Sequence, residues 1–190
     1  MSIHRSFFIA VATAIVLSAG TASALNSIHL SPPTQNVLLG DVFSVDLLMD
    51  FDDATVGGGV EITFDPLVVF NTFVFDPGFI ANFGLSGPAP NQVVQPLEVG
   101  FGFFPTPASG LHTVGTLTFT AVGVGPLQLI TTAASSITPG PFFDLSSQEM
   151  VVDFGTASVN IVPIPEPGTA LLMALGLAGL SLEPRNRRRR

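Results

Sequence analysis

Imidazole, amine and thiol side chains, which are common catalytic bases and nucleophiles, are few in this sequence, and cysteine is absent. The segment from Leu25 to Pro163 contains two imidazoles, His29 and His112, and no Lys, Arg or Tyr. A Ser-His-Asp set could be assembled from its serines, but no Gly-x-Ser-x-Gly elbow is present, and apart from backbone amides no cationic group is available to stabilise an oxyanion. With His112 expected in a loop before a strand, we predict a noncatalytic protein that needs no cofactor.

Carboxylates crowd one place in the chain, at Asp50, Asp52 and Asp53. Calcium takes several carboxylate and carbonyl oxygens from flexible loops, so these three residues are a candidate calcium site, although their spacing does not match an EF-hand. The alternative is a solvated acidic turn. Carboxylate-pair hydrolysis is not expected, because it needs two carboxyls at a set separation with unequal pKa values.

Charge is segregated along the chain. Basic side chains are confined to Arg5 and to the arginines of the last six residues, whereas the segment between Leu25 and Pro163 carries nine aspartates and three glutamates. Nucleic-acid binding is excluded, because affinity for phosphates comes from Lys and Arg. The acidic surface instead favours solubility.

The N-terminus has the pattern of a secretory signal peptide. Arg5 precedes an apolar run, Phe7–Leu17, and Ala22 and Ala24 supply the small residues that signal peptidase requires. The apolar run is too short to span about 30 Å of hydrocarbon. We therefore predict a signal peptide over residues 1–24, with the mature chain starting at the next residue.

The C-terminus combines Pro165-Glu166-Pro167, an apolar stretch from Gly168 to Leu182, and a terminal arginine cluster. As a helix the stretch is about 22 Å long, which is marginal for a membrane span of about 30 Å. Arginines resist translocation, so the tail is expected in the cytoplasm with the body of the protein outside the inner membrane.

This order of motif, apolar helix and arginines resembles the PEP-CTERM sorting signal, here over residues 164–190. The resemblance implies recognition by an exosortase, a membrane transpeptidase-like enzyme, with Pro165, Glu166 and Pro167 as recognition residues and the helix as a temporary transmembrane tether. Glu183 and Pro184 interrupt the usual step from helix to arginines. The alternative is a plain tail anchor after a proline-rich linker.

Between the two signals, period-two alternation predicts strands. The expected strands are Val42–Phe51, Val60–Phe64, Val68–Phe75, Val93–Phe104, Thr113–Val122, Leu127–Thr132, Met150–Phe154 and Ala157–Val162. Asp52-Asp53 is expected to end the first strand, and Gly57-Gly58-Gly59 to form a flexible connection. Short strands at regular spacing favour a sandwich or a barrel.

Three segments, GDVFSVDLLMD, GVEITFDPLVVF and VGTLTFTAVGVGPLQL, are similar in order and spacing to cohesin-like domains. The Phe64-Asp65-Pro66 element is the most distinctive part. The resemblance implies an all-β, jelly-roll β-sandwich of about nine strands over residues 25–163, a fold that also underlies several carbohydrate-binding modules. It does not imply a cellulosome, since function has to be argued from a site.

Aromatic side chains are supplied by phenylalanine alone, and sugar platforms usually rely on Trp or Tyr. An apolar patch could be formed by Phe101, Phe103, Phe104, Phe142 and Phe143, although we expect these side chains to be buried in the sheets.

The sequence therefore predicts an exported surface or extracellular-matrix protein that is processed by an exosortase and adheres to a protein or an exopolysaccharide. One alternative is a secreted hydrolase acting on extracellular polysaccharide, which a cluster of His29 or His112 with a carboxylate in a deep pocket would favour. Another is a structural filler of the extracellular polymer layer, which should have neither a pocket nor a large exposed apolar patch.

Overall fold

Strands dominate the part of the protein that the computed structural model describes, which comprises residues 25–83, 85–86, 95–102, 106–135, 140–164 and 167–181. They join in one continuous hydrogen-bonded sheet that folds over itself around a single hydrophobic core. The all-β prediction is confirmed. The predicted signal peptide lies outside the described residues.

The described residues form eleven strands and two helices. The strands are β1 Asn26–Ser31, β2 Thr34–Leu38, β3 Val42–Phe64, β4 Val68–Phe75, β5 Leu85–Ser86, β6 Leu97–Gly102, β7 Ala108–Ala121, β8 Gly125–Ala133, β9 Phe143–Asp144, β10 Val152–Phe154 and β11 Thr156–Val162. The helices are α1 Pro77–Phe83 and α2 Pro167–Ser181.

The long strand β3 connects the two layers of the fold, because it belongs to both. Its first half pairs with β1 and β7, and its second half pairs with β6 and β8. The first layer has the strand order β10-β1-β3-β7-β4, and the second has the order β2-β11-β8-β3-β6-β5. Two pairs of strands, β1 with β10 and β2 with β11, run parallel, and all the other pairs are antiparallel.

Alternation along β3 places its apolar side chains in the core, as predicted. Every second residue from Phe43 to Phe51 is at most 8% exposed, whereas Ser44 and Asp50 face solvent. This is the burial that a strand with one covered face requires. The buried set is Phe43, Val45, Leu47, Met49 and Phe51.

Two predictions for the middle of β3 are wrong. Asp52 and Asp53 do not end the strand, and the three glycines that follow are buried inside it rather than forming a flexible connection. The ladder with β7 is irregular between Phe51 and Thr55, which is where β3 passes from one layer to the other. The buried hydroxyl of Thr55 donates to the carbonyl of Phe143 at 2.8 Å and accepts from the Gly57 amide at 3.1 Å, so the crossing is held by hydrogen bonds.

Phenylalanines fill the core between the layers. The Phe119 ring on β7 stacks on Phe43 at 5.6 Å and meets Phe64 edge-on at 5.2 Å, which connects the first layer to the second. Phe101 and Phe142 are 3% and 1% exposed, so the expectation of burial is confirmed for these two residues. Phe143 is half-buried, and Phe103 and Phe104 lie outside the described residues.

Four strands and one helix are absent from the sequence-based prediction. Two of the missed strands, β1 and β2, follow the predicted signal peptide, and the other two, β5 and β9, have two residues each. The count of about nine is therefore lower than the eleven of the described residues. Helix α1 begins after Asp76, whose Oδ1 accepts the Phe79 amide at 2.9 Å and caps the helix.

Candidate binding groove and sorting tail

A groove of about 900 Å³ lies on the outer face of the second layer, where β2, β11 and β8 run side by side. We call it the amide groove, because three exposed carboxamides contribute to its lining. Its walls also include hydroxyl side chains, and the end of β3 supplies Phe64 and Asp65. The exposed side chains on the three strands are Thr34, Asn36, Pro126, Gln128, Ile130, Ser158 and Asn160.

Strand register explains why these side chains share one face. The parallel pairing of β2 with β11 sets Asn36 opposite Asn160, and the antiparallel pairing of β11 with β8 sets Ser158 opposite Gln128. The alternate residues on each strand, such as Leu127 and Val159, point into the core. The groove is therefore lined by the solvent-facing side of these strands, and their other side faces the core.

Hydrogen bonds hold the lining in place at two positions. Asn160 Nδ2 donates to Asn36 Oδ1 at 3.1 Å across the β2–β11 pair. At the end of β3, the Gln95 carboxamide accepts from the Phe64 amide at 3.2 Å and donates to the Phe64 carbonyl at 2.8 Å. The Phe64 ring also packs on Phe119, so this wall is fixed from the strand end and from the core.

The three candidate calcium ligands have different environments. Asp52 Oδ2 accepts from the backbone nitrogen of Leu25 at 3.0 Å, and Asp53 Oδ2 accepts from Asn26 Nδ2 at 3.1 Å. Asp50 is exposed on β3. No group of three or more His, Cys, Asp or Glu residues is placed to hold a metal ion within the described ranges, which include all three aspartates.

The two imidazoles lie on different strands, His29 on β1 and His112 on β7, with β3 between them. His112 lies inside β7 rather than in a loop before it, so that prediction is wrong. A ring nitrogen of His112, Nε2, is 2.8 Å from the Ser109 carbonyl, and the ring packs against Phe83 at 4.8 Å between centroids. His29 is half-buried on β1, and in the described part of the chain neither ring bonds to a carboxylate.

A second cavity of about 520 Å³ lies beside the crossing of β3 and is lined by Asp53, Asp144 and Glu149 among others. The Asp144 carboxylate accepts from the amides of Ser146 and Gln148, both at 2.8 Å. These bonds close the turn that follows β9. Asp144 therefore has a local structural role.

The C-terminal apolar stretch forms α2, which begins at Pro167, the last residue of the Pro-Glu-Pro motif. Pro165 and Glu166 lie outside the described residues, as do Ala22 and Ala24 of the predicted signal-peptidase site. Apolar side chains on α2 are exposed, with Leu172 at 70% and Leu175 at 59%. Among the helices that the structure describes, none combines the length and the apolar character that a membrane span needs.

Comparison with known families assigns the tail. The family model described as the PEP-CTERM protein-sorting motif matches residues 163–190. No curated protein has significant sequence similarity to the chain. The chain therefore carries a PEP-CTERM sorting motif at its C-terminus, and nearly the same residues were predicted from the order of motif, apolar stretch and arginines.

The β-sandwich is similar to solved cohesin domains. A non-cellulosomal cohesin from the archaeon Archaeoglobus fulgidus has a TM-score of 0.55 at 13% identity, covering 79% of this chain and 98% of the cohesin. The sixth cohesin of scaffoldin B from Acetivibrio cellulolyticus, solved with a dockerin, has a TM-score of 0.58 at 13% identity and 73% and 99% coverage. A type I cohesin from Clostridium thermocellum, also solved with a dockerin, has a TM-score of 0.57 at 12% identity and 73% and 99% coverage.

Identities this low establish the fold and not the partner. The chain thus joins a cohesin-like β-sandwich to a PEP-CTERM sorting motif. The amide groove was missed from the sequence, because β2 has no clean alternation of apolar and polar residues and was not predicted as a strand. The sequence feature that could have indicated the groove is a carboxamide on the polar face of each of β8 and β11, at Gln128 and Asn160.

Proposed function

We propose that this chain is an exported, noncatalytic surface or extracellular-matrix protein that an exosortase processes and that acts by binding a protein or an exopolysaccharide. The observation that carries the proposal is the order of its parts: a cohesin-like sandwich with an open groove, followed by a PEP-CTERM motif. In this proposal the sandwich binds the ligand, and the tail directs the protein to the cell surface.

The export route begins with cleavage after Ala24 by signal peptidase, which requires the small residues Ala22 and Ala24. Helix α2 then tethers the protein in the inner membrane, with the arginines on the cytoplasmic side. Support comes from its composition, because a helix that is apolar on every side and exposed calls for an apolar environment. With about 22 Å of length it is a weak anchor, which suits a temporary tether. The exosortase recognises Pro165, Glu166 and Pro167 and releases the domain to the surface.

Binding is favoured over the two alternatives. A structural filler is expected to have no pocket, whereas this domain has a groove of about 900 Å³. A secreted hydrolase would be favoured by an imidazole and a carboxylate converging in a pocket. Among the described residues, His112 bonds to a backbone carbonyl and packs against Phe83 instead. The solved cohesins bound to dockerins support a binding role for the fold.

The test is the intact mass and cell fraction of the native protein in strains with and without an exosortase. The proposal expects a mature chain that starts at Leu25, ends near the Pro-Glu-Pro motif and reaches the outside only when the enzyme is present. An arginine tail that is retained in both strains would show instead a plain membrane-tethered sandwich.

A further inference from the structure

We propose that the amide groove binds a neutral polysaccharide chain. The inference rests on the proposed function, since it names the ligand class of the same surface protein. It depends on four properties of the groove: its hydrogen-bonding groups, their spacing, the charge around them and the apolar surface beside them.

The hydrogen-bonding groups of the groove match those of a sugar. A carboxamide offers both donors and an acceptor, and a sugar hydroxyl also donates and accepts. The bond from Asn160 Nδ2 to Asn36 Oδ1 orients both amides and leaves the NH₂ of Asn36 and the carbonyl oxygen of Asn160 available to a ligand. Because that bond already holds the pair, less side-chain entropy is lost on binding.

The polar groups form a grid on three hydrogen-bonded strands. One row across the strands is Thr34, Ser158 and Gln128, and the next row contains Asn36 and Asn160. Neighbouring strands are about 4.8 Å apart, and same-face residues on one strand repeat about every 6.7 Å. A rigid grid of this kind suits a polymer whose hydroxyls repeat along its length.

Charge selects a neutral ligand. Between Leu25 and Pro163 the chain has no Lys or Arg and twelve carboxylates, and Asp65 adds a negative charge to the groove itself. Phosphorylated, sulfated or uronate-rich polymers are therefore repelled by the domain. Among the described lining residues Asp65 is the single carboxylate, so this lining also lacks the several acidic oxygens that a calcium-bridged ligand would need.

Apolar contact is provided by Ile130, which is 38% exposed. Ile130 lies two residues from Gln128 on the exposed face of β8, so it gives the C–H face of a sugar ring an apolar surface beside the row of Thr34, Ser158 and Gln128. A protein partner fits less well, because the cores of protein interfaces are enriched in aromatic residues, Met and Arg. The described lining contains one aromatic residue, Phe64, and no Met or Arg.

The test is affinity gel electrophoresis of the exported protein, purified from its native fraction, with dextran, laminarin or galactomannan in the gel and alginate as the anionic comparison. At least one neutral polymer should retard the protein, and alginate should not. Asn160→Ala and Gln128→Ala should each weaken retardation about fivefold for each hydrogen bond lost. The matched control is Asn71→Ala, which removes an exposed, cross-strand-bonded carboxamide from β4 in the other layer.

The inference is overturned if no neutral polymer retards the protein, if alginate retards it equally, or if Asn71→Ala weakens binding as much as Asn160→Ala. Capture of a protein that depends on Asn160 without any polysaccharide binding would make the groove a protein interface and would also overturn it. Binding is measured on purified protein, so its failure is distinct from a failure of exosortase processing, which fractionation detects.

Discussion

Asp52 lies beside the residue at which the mature chain is predicted to begin, with its Oδ2 3.0 Å from the backbone nitrogen of Leu25. Cleavage after Ala24 would turn that nitrogen from an amide into an ammonium. The ammonium would then be a positive charge in a segment, Leu25 to Pro163, that has no Lys or Arg. Its ion pair with Asp52 would then form only in the processed protein.

Replacing Asp52 with Asn should lower the stability of the mature protein by about 0.5 kcal/mol at pH 6, the size of an exposed ion pair. The ion pair needs a charged ammonium, and an α-amino group with the ordinary pKa of about 8 is neutral at pH 10, so the stabilisation should be absent there. Urea unfolding at pH 6 and pH 10 measures both states.

Asp41→Asn is the control, because it removes the same charge from an exposed turn residue. Both variants relieve the repulsion among carboxylates, so their difference isolates the ion pair. Equal stability of the two variants at pH 6 would contradict the pairing.

Calcium should change the melting temperature little, because the carboxylates of Asp52 and Asp53 bond to different partners and, among the described residues, no group of three or more His, Cys, Asp or Glu is placed to hold a metal ion. A site filled at a hundredfold excess over its Kd would stabilise the fold by about 2.7 kcal/mol. For a domain of this size that is a rise of about 10 °C. A saturable rise of that size in a calcium titration would show that an acidic site exists.

At the scale of elements, β3 decides the architecture by serving both layers. The passage between layers depends on small residues, because a Cβ at Gly58 would lie 2.7 Å from the Cα of Phe142 and 2.6 Å from its ring. Gly57 has a φ of +132°, a conformation that glycine adopts without strain. The glycines that resemble a flexible linker in the sequence are therefore packing positions.

Gly58→Ala should destabilise the domain by about 2 kcal/mol, because the added methyl overpacks the contact with Phe142. The control is Gly102→Ala on the neighbouring strand β6, where the nearest atom to an added Cβ is the Val56 carbonyl oxygen at 4.0 Å. That substitution should stay within about 0.5 kcal/mol. Chemical denaturation of both variants measures the difference, and equal losses would refute the packing role.

The short helix α1 could have been found in the sequence. Asp76 precedes Pro77, and these are preferred residues for the cap and the first position of a helix. The helix was missed because seven residues make only about two turns, too few for a 3.6-residue period to be recognised in the sequence.

At the scale of the whole molecule, the domain and the tail are expected to act independently. Replacing Pro165, Glu166 and Pro167 by alanines should leave export intact, because the predicted signal peptide is unchanged, and should cause uncleaved precursor to accumulate in the membrane. Intact mass of the membrane fraction measures this, with Asn71→Ala as a control that leaves the tail untouched. Normal processing of the triple variant would remove the sorting hypothesis.

Local patterns in the sequence were enough to predict the strand character of β3, β4, β7, β8 and β11 and the sorting tail. Alternation is a local property, so Phe43 and Phe51 identify a buried face without knowledge of any partner strand. The tail is likewise local, because its motif, apolar stretch and arginines are consecutive. These are the predictions that the structure and the family comparison confirmed.

The path of β3 and the existence of the amide groove depend on tertiary contacts and could not be predicted from any one segment. Asn36 and Asn160 are 124 residues apart, and they meet because β2 pairs in parallel with β11 in one register. A shift of one residue would turn either side chain into the core. Pairing between such distant segments depends on how the whole core closes, and no local pattern in β2 or β11 specifies it.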